Sequence, residues 1–170
     1  MTRRAIIVTL AGVAATAVAA CASASPGATR ASVTVSLAPD RAHPGRWCAS
    51  AVDAREPDGR LSLCQSPRGR PGTDAVLRAD CPTHRVVVLG LASRRMQGVK
   101  LVSGKSSKPA TLAHGEHVTA FAVAATLSDF PARLRTRAGT HVRIRGLRDP
   151  HALCRSQPRG TGVIDAFDGP

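Results

Sequence analysis

The chain has no tyrosine, one tryptophan and three phenylalanines among its 170 residues. Valine, leucine and alanine must therefore fill most of any core, and the aromatic platforms on which nucleic-acid bases stack are missing. Acids are scarce too: Asp and Glu number 11 against 24 Lys and Arg, for a net charge of +13. They are scattered singly, which leaves paired-carboxylate hydrolysis without support. No Cys-x-x-Cys pair exists, so the usual zinc spacing is absent. Neither a Gly-x-Ser-x-Gly elbow nor a phosphate-cradling Gly-x-x-x-x-Gly-Lys-Ser/Thr loop occurs. Ser103-Gly104-Lys105-Ser106 ends like the second motif but lacks its first glycine. His114-Gly115-Glu116-His117 sets two histidines across a glycine in a turn, unlike the helical His-Glu-x-x-His of zinc peptidases. No metal, no cofactor and no catalytic residue is expected, and the chain reads as a non-enzyme.

The positive charge is almost all arginine and is spread along the chain. It reads first as a solvated surface. The alternative is a polyanion partner at the cell envelope, such as an anionic polymer or lipid. Specific nucleic-acid binding is set aside for want of interleaved aromatics.

Only one long apolar run is present, at residues 5–20, preceded by Thr2-Arg3-Arg4. It falls short of the ~20 residues a comfortable membrane span needs and reads as a secretory signal. It ends Val18-Ala19-Ala20-Cys21, which resembles the lipobox of bacterial lipoproteins. That resemblance implies acylation of Cys21, a signal over residues 1–21 and a membrane partner reached through a lipid anchor. Ordinary cleavage after Ala22-Ser23-Ala24, giving a secreted protein, is the competing reading. Residues 22–31 form a small-residue tether, and residues 32–170 a single domain.

Either route leaves four cysteines, Cys48, Cys64, Cys81 and Cys154. An even number in an exported chain reads as two disulfides. Four cysteines allow three connectivities. Chain locality suggests Cys48 with Cys64 and Cys81 with Cys154, contributing about 3 and about 4 kcal/mol in the loop-entropy model.

Residues 85–91, Arg-Val-Val-Val-Leu-Gly-Leu, are the most β-branched part of the mature sequence and predict a strand buried on both faces. Gly90 within it signals a bulge or a close backbone approach. Residues 33–37, 47–52 and 60–64 predict three earlier strands, with Glu56-Pro57-Asp58-Gly59 as the turn before the third. Trp47 is read as core, packed over the neighbouring bridge. Residues 74–80 predict one helical turn with Val76 and Leu77 inward. Residues 99–102 and 117–127 predict further strands; the second is rich in alanine but lacks helix caps and carries Val118, Thr119, Val123 and Thr126.

The last hairpin alternates Ala132, Leu134, Val142 and Ile144 with Arg133, Arg135, His141, Arg143 and Arg145. A three-residue loop, Arg137-Ala138-Gly139, would pair Arg133 with Arg143 and gather Arg133, Arg135, Arg143 and Arg145 on one outer face. Like charges so opposed repel, and an anionic partner would relieve them. These four arginines are the candidate anion site.

The run of a Val-rich strand ending in Gly90, a strand near residues 99–102, the Phe121 strand and a hairpin turning at Gly139 resembles small exported or lipoprotein β-sandwich modules of high-GC Gram-positive bacteria. That resemblance implies a fold and a place at the envelope, but no activity. The expectation is an all-β, immunoglobulin-like antiparallel sandwich of about seven or eight strands with two disulfides. Its expected role is binding or structural. A polyanion-binding module using residues 133–145 and an envelope enzyme with an unrecognised site are the alternatives.

Overall fold

The computed structural model describes residues 33–66 and 73–167. The expected signal, Cys21 and the tether lie outside the described residues. Within them the regular secondary structure is almost all antiparallel strand, as expected, arranged as a sandwich of three sheets.

The middle sheet has five strands: β4 (Thr73–Asp80), β5 (Arg85–Ala92), β8 (Thr111–His114), β9 (Thr119–Thr126) and β12 (Thr161–Asp165), in the order β12-β4-β5-β9-β8. The valine run forms β5, and seven of its eight residues are buried. Val86, Val88 and Ala92 face one core, while Val87, Leu89 and Leu91 face the other. Covering both faces of one strand is what allows a continuous apolar run without alternation. Gly90 marks neither a bulge nor a backbone approach: its register with Phe121 is regular, and a side chain, the Phe121 ring, fills the place of a β-carbon, 1.9 Å from the ideal position.

One face of this sheet is covered by β1 (Val33–Pro39), β2 (Trp47–Asp53) and β3 (Glu56–Gln65), in that order. Val33, Ala49, Ala51 and Leu61 close the core on that side. The turn between β2 and β3 falls at Ala54-Arg55, before the expected Glu56–Gly59 position. The buried Asp53 carboxylate accepts the Arg55 N–H at 2.9 Å and so stabilises the tighter turn, with a bulge absorbing the offset. Trp47 is half-buried on the core side, as its expected core role requires. However, it lies away from the bridge, because Cys48, the next residue along a pleated strand, points to the opposite face.

The other face is covered by β6 (Gly98–Ser103), β7 (Ser106–Pro109), β10 (Arg133–Ala138) and β11 (His141–Gly146), in the order β11-β10-β6-β7. Phe121, Leu77, Leu101, Leu134 and Met96 form the larger core between them. Twelve strands thus appear among the described residues, more than the seven or eight expected. Residues 74–80 belong to β4, not to a helical turn. Ala75, Leu77 and Ala79 alternate with Val76 and Arg78, a two-residue period hidden in so short a window. Among the described residues the one α-helix, α1 (His151–Ser156), follows Asp149, whose carboxylate accepts the His151 N–H at 3.0 Å.

Both disulfides form with the pairing that locality suggests. Cys48 and Cys64 stand directly opposite on β2 and β3, with α-carbons 4.0 Å apart. Cys81–Cys154 ties the end of β4 to α1 across 73 residues. Two such bridges belong to an oxidising, extracytoplasmic compartment. Among the described residues no helix is long and apolar enough to cross a membrane.

Candidate functional site

The strands β10 and β11 join through a two-residue loop, Gly139-Thr140. Gly139 has φ 59°, and Thr140 keeps a negative φ. That places a glycine first in a two-residue hairpin loop, the position where the type II′ turn wants it. The shorter loop changes the register: Thr136 pairs with Arg143, Leu134 with Arg145 and Arg135 with Ile144.

This register corrects the expected arginine face. The three-residue loop paired Arg133 with Arg143; the observed pairing differs by an odd number of residues. In a pleated sheet an odd shift sends every side chain of one strand to the other face. Arg133 and Arg135 therefore remain on the outer face, joined by Arg137. Arg143 and Arg145 fall on the inner face, beside Leu134 and Thr136.

The outer face is strongly cationic. Arg133, Arg135 and Arg137 are all exposed, alternating with the buried Leu134 and Thr136. Lys100 of β6 lies directly across from Arg135 and is exposed. Arg137 is steadied by a hydrogen bond from its Nε to the Gly139 carbonyl at 3.2 Å. Val142 and Ile144, which were expected inside, stand on this face at 45% and 61% exposure. No acidic residue occurs anywhere in β6, β7, β10 or β11. Lys100 and Arg137 were the members that sequence reading missed; the alternation that holds Arg137 was visible, but the pairing that brings Lys100 alongside was not.

β11 is the edge strand of its sheet, and Arg143 and Arg145 on its inner face are exposed. The Arg145 guanidinium stacks on the Phe167 ring, 4.0 Å from its centroid. With Thr73, Leu134, Thr136 and Ile144 these residues border an open groove.

A second charged group, unforeseen in the sequence, lies where β3, β4 and β5 meet. Glu56 pairs with Arg78 at 3.2 Å and with Arg85 at 3.5 Å, and it accepts the Thr83 hydroxyl at 3.1 Å. Arg78 also donates to the Gly59 carbonyl at 2.6 Å. Partial burial would raise the Asp80 carboxyl, but hydrogen bonds from Thr83 and Thr161 and the nearby Arg78 hold it below the usual carboxylate range. Charges of both signs satisfy one another here, which suits a clamp between strands better than a ligand site.

His114 contacts the Thr119 hydroxyl at 3.2 Å, while His117 and Glu116 lie in the exposed turn beyond it. Among the described residues no three His, Cys, Asp or Glu side chains converge as metal ligands would. No protein-family model matches the chain, and no curated protein or solved structure is significantly similar to it.

Proposed function

We propose that this is an exported, non-catalytic binding module that takes an extended anionic polymer of the cell envelope along β10. One arrangement supports the reading: Arg133, Arg135 and Arg137 share an exposed face, Lys100 stands opposite Arg135, and the four strands of that sheet carry no acid to neutralise them. Alternate residues on a strand are ~7 Å apart, so the arginines present charge at a regular interval to a ligand lying along the strand. Opposed like charges on a sheet repel, and a polymer bearing phosphates or carboxylates relieves that repulsion while releasing counterions. Export through the N-terminal signal, with Cys21 acylated, would hold the module at the membrane. A mature N-terminus at Ser25 would instead assign simple secretion.

The test is binding to polyphosphate at low and high salt. Arg133→Glu with Arg135→Glu should weaken low-salt binding by about tenfold or more and flatten its salt dependence. Arg68→Glu with Arg70→Glu changes net charge equally and should weaken it far less. Equal losses would mean that overall charge alone acts. Binding to anionic vesicles without binding to polyphosphate would make a lipid the ligand.

A further inference from the structure

β11 ends its sheet: β10 lies on one side, and no strand lies on the other among the described residues. All six of its residues are exposed. A two-residue hairpin loop makes its closing pair, here Ala138 and His141, the hydrogen-bonded one, and bonded pairs alternate from there. Two contacts agree with that phase. The Arg137 carbonyl turns away from β11 to accept Gln97 N–H at 2.8 Å, and Leu147 N–H donates to Ala132 O at 3.0 Å. The amides and carbonyls of Val142 and Ile144 therefore point outward, away from β10. Such an edge is a template for another strand unless it is defended.

We propose that the edge of β11 accepts an extended acidic peptide segment, added to the sheet as a further strand. This goes beyond the polymer reading and uses the edge of the sheet, not the arginine face of β10. The occupant follows from the side chains. Antiparallel residues directly opposite share a face, so a second copy pairing edge to edge would set Arg143 against His141, Arg143 or Arg145 of that copy. Each option opposes basic groups and is unfavourable. A partner strand with acids opposite Arg143 and Arg145, and aliphatic residues opposite Val142 and Ile144, matches both faces at once. Main-chain hydrogen bonds to Val142 and Ile144 would supply affinity, and the alternation would supply register.

The probe is a capped peptide alternating glutamate and valine, set against one of identical composition with its glutamates and valines in separate blocks. The alternating peptide should bind the mature protein about tenfold tighter, since only it offers matched hydrogen bonds and faces. It should also slow exchange of the Val142 and Ile144 amides in the unaltered protein. Ile144→Pro removes an outward N–H that β10 does not use, and proline is tolerated in that position of an edge strand. It should abolish the preference for the alternating peptide. Arg133→Glu with Arg135→Glu, which weakens polymer binding, should leave that preference intact, so the two readings fail separately. Equal binding of both peptides, or unprotected Val142 and Ile144 amides in the bound state, would overturn the proposal. Protection of those amides that grows with protein concentration alone would assign the edge to a second copy and overturn it too.

Discussion

Arg143 stands directly across the hairpin from Thr136, on the side of the sheet that faces the core. That one pairing divides the five arginines of the hairpin into an outer three and an inner two. It also brings Val142 and Ile144 out beside Arg135 and Arg137, giving a surface both basic and aliphatic.

The contact between Gly90 and Phe121 should be intolerant of any side chain. A methyl group on Gly90 would overlap the Phe121 ring at the centre of the larger core, where neither strand has room to move. Gly90→Ala should destabilise the domain by about 1–3 kcal/mol or more, read as a fall in the denaturant midpoint. A change under about 0.5 kcal/mol, typical of surface sites, would show the ring free to step aside.

Removing the two disulfides singly should have unequal effects. Cys81–Cys154 closes a span of 73 residues and Cys48–Cys64 one of 16. Constraint of the unfolded chain then contributes about 4 and about 3 kcal/mol. The Cys81→Ala/Cys154→Ala variant should melt below Cys48→Ala/Cys64→Ala. The reverse order would mean that native contacts of β2 and β3 depend on their bridge more than chain entropy does.

Acid should weaken the link between β7 and the turn that follows β9. Partial burial pushes the Asp129 carboxyl up, but hydrogen bonds from Lys108 and the Thr126 N–H outweigh this and hold it below its ordinary value of 3.8. A carboxyl lowered in the folded state stabilises it fully above the unfolded value, and that contribution disappears as pH falls through the folded value. Melting temperature should therefore hold steady from neutrality to mild acid and drop below about pH 4. In Asp129→Asn the drop should be smaller. An identical acid limb in both proteins would remove Asp129 from the account.

Glu56 should matter more than an exposed acid. Its side chain is 16% exposed and serves both Arg78 and Arg85. Glu56→Gln leaves those guanidinium groups without their shared carboxylate and should cost about 1–3 kcal/mol in urea unfolding. No measurable change would mark the pair as screened by solvent.

The chain's own residues determined the all-β class, the double burial of β5 and the even set of bridging cysteines. Each rests on a local signal: β-branched density, an apolar run without alternation, and a cysteine count. What stands against Gly90, the Phe121 ring, was settled by strand pairing. Which cysteines joined was open among three pairings until β2 and β3 aligned Cys48 with Cys64. The short two-residue period of β4 and the three-sheet layering were likewise settled by packing, since residues 74–80 satisfy more than one period. The arginine face was decided by tertiary structure alone. A period-2 pattern states which residues of a strand share a face, but says nothing of how that face is phased against the next strand. The loop sets the phase, and Gly139 at φ 59° selects a two-residue turn, so a change of loop length carries Arg143 and Arg145 to the other side of the sheet.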